Sequence, residues 1–368
     1  IMPGFINAHT HSGMTFLRSM ADDMPLQQWL NDKVFPIEAK LTQEDIYYFS
    51  KLAILEYLTS GITSNFDMYI NPEAIVHASL DMNYRTVLCG AVNDFCLSVE
   101  DVERCFNEYN QENSLISYIL GFSHEYTNSK EKIQQVAALS HKYKAPVYTH
   151  LSETEYEVNT CKEKTGVSPV EYLCDLGVYD YGGGAFHCVH MSAHDLDLFA
   201  KKHLNIITNP ASNLKLASGI APIQSMLQRN INVCLGTDGA ASNNCLDMFR
   251  EMFLVTGLAK YKEKDASAVD AYKVLKMATV NAAKALNLNC GVLEVGKLAD
   301  LIILDLHQPN MQPINNVAKN IVYSGSKSNV KCTMVNGKIL YEDGHFHVGF
   351  EIETLYDEVQ KRVERLMR

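Results

Sequence analysis

The sequence predicts a (β/α)8 barrel, and three observations carry that prediction. Eight short apolar runs recur along the 368-residue chain, mostly separated by helical patterns. The runs are close to continuously apolar rather than alternating, as in strands buried on both faces of a parallel sheet. No Gly-rich phosphate loop follows the first run, which weighs against the other common parallel fold, a doubly wound open sheet holding a dinucleotide.

The strands are predicted at 4–9, 63–67, 85–91, 117–122, 146–150, 184–189, 205–208 and 232–236. Helical patterns lie at 43–59, 129–143, 168–176, 193–202, 221–228 and 247–260. Ser129 stands where a capping hydroxyl is needed, just before Lys130-Glu131-Lys132. A further helical stretch, 266–286, follows the last barrel strand. The pattern then changes. Segments 300–305, 320–324 and 332–341 read as antiparallel strands, with Asn336-Gly337 as a tight hairpin turn between Val335 and Lys338. Three strands alone leave unpaired edges. Their partners are expected to precede Ile1, where the chain starts in mid-pattern. Residues 351–368 read as an amphipathic helix. The expected organisation is a barrel over 1–295, small β-domain strands over 296–345 and a terminal helix over 346–368.

Composition narrows the function classes. Hydrophobic residues make up 47% and charged residues 20%, as in soluble globular proteins. A net charge of −11 argues against nucleic acid or an anionic membrane as a partner. No apolar run reaches the ~20 residues of a membrane helix. The ten cysteines include no Cys-x-x-Cys pair, which argues against a structural zinc ribbon. They are expected to be reduced, mostly buried apolar residues of a cytoplasmic protein. A homo-oligomer is left open.

The chemistry-bearing residues fall at strand ends. His9 and His11 close the first strand; two residues apart, they point to the same side. The fifth strand ends in His150-Leu151-Ser152-Glu153, the sixth in His187-Cys188-Val189-His190, and the eighth in Gly236-Thr237-Asp238-Gly239. Singly, each has an ordinary structural reading. Together, at the catalytic end of a barrel, they are hard to explain by chance. Three histidines and a carboxylate suit a zinc-like or iron-like divalent ion that leaves a position for water. Such an ion makes hydroxide available near neutral pH. Glu153, just beyond a histidine, is placed to move protons, and His187 to hold the hydroxide or the leaving group.

On these residues the sequence resembles the amidohydrolase superfamily, and within it the methylthioadenosine/S-adenosylhomocysteine deaminase and chlorohydrolase group. The matching motifs are Pro-Gly-Phe-Ile-Asn-Ala-His-Thr-His (3–11), Ala-Asp-Asp-Met-Pro-Leu-Gln-Gln-Trp-Leu (21–30), His-Leu-Ser-Glu-Thr (150–154), His-Cys-Val-His (187–190), Asn-Pro-Ala-Ser-Asn-Leu-Lys-Leu (209–216), Gly-Thr-Asp-Gly-Ala-Ala-Ser-Asn-Asn (236–244) and Gly-Lys-Leu-Ala-Asp-Leu (296–301). The resemblance implies a barrel with a β-domain built from both chain ends. It implies one divalent metal, zinc before iron or manganese, bound by His9, His11, His150 and Asp238. Residues 115–126 contain no lysine to bridge a second ion. Glu153, His187 and Asp238 match the catalytic residues of a hydrolytic deaminase, and Trp29, Glu38 and Ser242 match substrate positions.

Departures bear on the substrate. Relatives that accept S-adenosylhomocysteine place arginines near the end of the third strand; this chain has Cys89 there and no arginine between it and Arg104. A neutral 5′-substituent follows, as in methylthioadenosine, 5′-deoxyadenosine or adenosine. The group's histidine three residues before Tyr126 is Ser123 here. Either neighbouring His124 takes over, or the ring contact is lost. The histidine usual before Asn209-Pro210 is Thr208. Two other readings compete: a deaminase or dechlorinase of another heterocycle (guanine, a pterin or an s-triazine), and a non-catalytic scaffold. The cytidine-deaminase zinc signature is absent.

Overall fold

The computed structural model describes every residue except 21, 25, 95–96 and 112–114. Eight parallel strands stand in chain order: Phe5–Thr10, Ile62–Met68, Arg85–Cys89, Ile116–Gly121, Val147–Leu151, Gly183–His187, Asn205–Thr208 and Asn232–Leu235. They form the expected TIM-type barrel. The first and eighth strands meet where the Asp238 amide donates to the His9 carbonyl at 3.0 Å. Below that link, the Thr237 amide donates to Asn7 Oδ1 at 2.8 Å, and Asn7 Nδ2 donates to Thr237 Oγ1 at 2.7 Å. Alternate residues of successive strands, among them Ile6, Phe66, Val87, Tyr148, Phe186 and Ile207, share one buried cluster. This is the two-residue period of a strand filling a barrel interior.

The helix Gln43–Thr59 matches its predicted bounds. Thr42 and Asp45 cap it reciprocally, the threonine hydroxyl accepting from the Asp45 amide and the carboxylate from the Thr42 amide. Ser129 caps Lys130–Tyr143 as expected. Helices that were not predicted include Pro72–Asp81, Val99–Tyr109, Glu155–Thr165 and Pro210–Lys215. The stretch 266–286 is two helices, Ala271–Met277 and Val280–Ala285, separated by Ala278 and Thr279, which leave the regular helix.

The second sheet is antiparallel, in the order Met2–Pro3, Leu301–Leu304, Val330–Val335, Lys338–Glu342 and His345–Phe346. Met2–Pro3 therefore adds a strand beside Leu301–Leu304 that was not among those predicted. Asn336 and Gly337, with φ of 50° and 78°, make the predicted hairpin turn. Segment 320–324 is not a strand: it lies in and just after the helix Val317–Tyr323. The Asn316 side chain accepts from the Lys319 amide and starts that helix, which buries Ile321 and Val322. So short an apolar run fits either structure. The helix Ile352–Leu366 packs on Gln43–Thr59, burying Leu355 and Leu366 and setting Arg362 and Arg365 on Asp45. Among the described residues no helix is long and apolar enough to cross a membrane. All nine described cysteines are free, and seven are buried; Cys96 lies outside the described residues.

Candidate active site

The predicted residues converge at the C-terminal mouth of the barrel. The His9 ring lies 4.8 Å from that of His11 and 4.9 Å from that of His150, centroid to centroid. Phe186 forms the floor, stacked under His9 at 3.8 Å. Asp238 Oδ1 stands 3.6 Å from His9 Nε2 and 3.2 Å from His11 Nε2. His187 Nε2 is 3.9 Å from Asp238 Oδ2, and its Nδ1 is 3.9 Å from Glu153 Oε1. Three exits from the strands are left-handed at residues other than glycine: Ser152 (φ 51°), His187 (68°) and Asp238 (61°). Such conformations cost roughly 1–3 kcal/mol each and concentrate at functional sites.

Outer contacts fix the rings. The Met68 carbonyl contacts His11 Nδ1, and the Ser123 carbonyl contacts His150 Nδ1 at 2.9 Å. With each Nδ1–H donating to a carbonyl, each Nε2 is the free ligand atom. His9 is fully buried, yet neither ring nitrogen has a hydrogen-bond partner among the described residues. A buried, unsatisfied imidazole beside two others and a carboxylate fits a bound divalent cation. Ligand atoms of His9, His11 and His150 lie within 4.8 Å of one another, as do those of His9, His187 and Asp238.

The electrostatics separate the two carboxyls. Burial pushes Glu153 up, with Asp238 adding to the shift, against His187 and the Ser218 hydroxyl, which donates at 3.3 Å. Burial would also raise Asp238, but the His11 hydrogen bond and the nearby imidazoles hold it well below the carboxylate range. Ser212 Oγ (2.6 Å) and the Gly239 amide (2.8 Å) donate to it as well. The two carboxyls are thus shifted in opposite directions, as in sites that divide acid and base roles between two groups. Burial drives His9 well below the ordinary imidazole value, favouring the neutral, ligating form. His187 Nδ1 donates to Asn213 Oδ1 at 2.7 Å, which turns Nε2 toward Asp238.

The predicted substrate residues are placed unevenly. Glu38 is half-buried and accepts from the Tyr69 hydroxyl at 2.6 Å; the Tyr69 ring lies 6.3 Å from that of His11. His124 stacks on His150 at 4.4 Å, its Nδ1 2.8 Å from Ser123 Oγ, so the offset histidine does reach the site. Burial and the His187 and His11 charges lower it to about 3. Ser242 is buried in the turn after the eighth strand, donating to the Gly239 carbonyl. Trp29 is 5% exposed and belongs to the main apolar cluster. In the motif at 21–30, residues 21 and 25 lie outside the described residues. Cys89 is buried at the end of the third strand, and Arg104, on the helix Val99–Tyr109, pairs with Glu108 of the same helix and with Glu73 of Pro72–Asp81. Tyr69, Ser212, Asn213 and Ser218 were not assigned from sequence, although Ser212 and Asn213 sit within the 209–216 motif.

Gly236 gives a direct test of this packing. A Cβ there would lie 2.4 Å from Asn209 Oδ1 and 2.8 Å from the His9 amide nitrogen. Gly236→Ala is expected to displace His9 and weaken metal affinity at least about tenfold, as read by chelator competition. Unchanged affinity would show that the seam yields without moving His9.

The fold and the clustered residues define a β/α-barrel hydrolase with a His/Asp site suited to a metal. The chain belongs to the amidohydrolase family, whose model matches residues 1–340, and it is a hydrolase acting on carbon–nitrogen bonds. The 5-methylthioadenosine/S-adenosylhomocysteine deaminase of Caldanaerobacter subterraneus is 39% identical over 376 residues, covering 100% of this chain and 87% of that protein. The 5′-deoxyadenosine deaminase of Methanothermobacter thermautotrophicus is 38% identical, covering 95% and 83%. A zinc-bound adenosine deaminase from Xanthomonas campestris superposes with a TM-score of 0.95 at 30% identity, covering 100% and 85%.

Proposed function

We propose that this chain is a one-metal hydrolytic deaminase that releases ammonia from an adenine nucleoside with a neutral 5′-substituent. The observation that carries the reading is the meeting of His9, His11, His150 and Asp238 with Glu153 and His187 in one buried pocket. His9, His11, His150 and Asp238 would hold the ion, with zinc the first choice. When bound, it supplies Lewis acidity that lowers the pKa of water. Asp238 is ionised and takes the proton of the water that attacks the amino-bearing ring carbon. Glu153 carries a proton at higher pH than an ordinary glutamate and delivers it to the adjacent ring nitrogen; Asp238 then passes its proton to the amino group, the C–N bond breaks as ammonia leaves, and the new hydroxyl returns its proton to Glu153. His187 Nε2, oriented through Asn213, holds the incoming oxygen in line. Enclosure of these groups strengthens each interaction.

Glu38, beside Tyr69 and His11, is the proposed acceptor for ribose hydroxyls. His124 and Ser242 are proposed as polar contacts to the ring, and Trp29 as the wall behind the nucleoside. The buried Cys89 in place of arginine supports an uncharged 5′-group. The test is an ammonia-release screen over adenosine, methylthioadenosine, 5′-deoxyadenosine, S-adenosylhomocysteine, guanine and pterins. One of the first three is expected to have the highest kcat/KM. Glu38→Ala should raise KM for that nucleoside about tenfold or more, the loss of a hydrogen bond to a charged group. It should leave turnover of a free base unchanged. A preference for guanine or a pterin, or an unmoved KM, would overturn the nucleoside assignment.

A further inference from the structure

Glu157 is a buried carboxylate that the proposed chemistry does not use, and it lies directly behind Glu153. Thr154 caps the helix Glu155–Thr165 by accepting from the Glu157 amide at 3.2 Å. A glutamate at that third helical position ordinarily reaches back to the amide of the capping residue itself. Here it reaches further. One carboxylate oxygen accepts from the Ser152 amide and the other from the Glu153 amide, the latter at 2.8 Å. Ser152 is the left-handed residue at the strand exit, and its carbonyl accepts from the His190 amide at 2.9 Å. The turn that carries Glu153 is therefore tied down through three backbone groups, two of them by this one side chain.

We propose that Glu157 is a positioning residue: its carboxylate clamps the Ser152–Glu153 turn in the strained conformation that aims Glu153 at the reacting centre. The proposal rests on Glu153 as the proton carrier. The chemistry of the clamp is specific. Each of the two N–H donors meets its own acceptor oxygen, an arrangement a carboxylate offers and an amide does not. Glu125, also buried, faces Glu157, and two carboxylates in one dry site do not both ionise. Glu157 holds the two amides, so the proton belongs on Glu125. Burial raises both groups, Glu125 the further, while the Ser152 and Glu153 amides pull Glu157 back toward the ionised form.

Two experiments test the clamp, one on the wild type and one on a variant. In the wild-type protein, residue-resolved hydrogen exchange should find the Ser152 and Glu153 amides protected as strongly as the fifth strand. Exchange at loop rates would overturn the proposal without any variant. Glu157→Gln keeps the volume but sets an NH2 against one of the two amides. A crystal structure of that variant should show the Glu153 carboxyl displaced from His187 while the four ligand residues keep their places. Metal content should be unchanged, KM within about threefold, and kcat lower by about a hundredfold, the usual effect of a misplacement near 1 Å. A folded Glu157→Gln protein with Glu153 in place, or with kcat within about threefold of wild type, would sink the idea. A wild type that releases no ammonia would instead count against the proposed function, and the exchange and crystallographic results would still decide the clamp.

Discussion

Glu153→Gln should keep one divalent ion per chain and lose about a hundred- to ten-thousandfold in kcat, the range for removing a general acid or base. Metal content stays because Glu153 is no part of the ligand set; its nearest imidazole contact is His187 Nδ1 at 3.9 Å. Activity falls because glutamine cannot deliver a proton, although it matches the glutamate in size. The neighbourhood makes the effect large. Glu153 is 6% exposed, so bulk water has little access to replace it as the acid. Ser218 and the Glu157-held turn fix its carboxyl toward His187. Metal analysis and steady-state kinetics on the same preparation check both halves. A variant that kept turnover would pass the acid role to another group. One that lost the ion would mean Glu153 supports the metal instead, and two ions per chain would contradict the single-metal set.

The barrel was legible because its signals are local. Apolar runs and helix-capping residues such as Thr42 and Ser129 act over a few residues. His9, His11, His150 and Asp238 could be assembled because a barrel brings all strand ends to one mouth. What was not legible has a common physical origin. The carbonyls of Met68 and Ser123 orient two histidines, and any residue would offer the same carbonyl. Ser212 and Asn213 were visible in a motif, but their partners Asp238 and His187 each lie 26 positions away, on opposite sides. Only the folded chain shows which serine meets which carboxylate. Helix Val317–Tyr323 was misread as strand because Ile-Val-Tyr fits both structures at that length. The Asn316 cap, which accepts from the Lys319 amide three residues on, is the local signal that favours the helix and was passed over.

Asp300→Ala is expected to be the most destabilising of these substitutions, by about 3–5 kcal/mol, while leaving kcat per folded molecule unchanged. Asp300 and Arg85 are both buried and form a two-point ion pair, Nε to Oδ2 at 2.6 Å and Nη2 to Oδ1 at 3.1 Å. Oδ1 also accepts from the Asn336 amide at 2.7 Å, in the hairpin turn of the second sheet. The pair therefore joins the start of the third barrel strand to the antiparallel sheet. Removing the carboxylate strips a buried guanidinium of that partner, and the lost compensation exceeds the intrinsic worth of the pair. The double variant Arg85→Met with Asp300→Leu should recover much of the loss, since an apolar pair of similar volume carries no desolvation penalty. Equilibrium unfolding in urea of the single and double variants separates the two terms. A single-variant loss below about 1 kcal/mol, or a double variant as unstable as the single, would contradict the account. Arg85 opens its strand at the end opposite the histidines and Asp238, where barrel residues serve stability rather than chemistry. A drop in kcat per folded molecule would show that the two ends are coupled through the third strand.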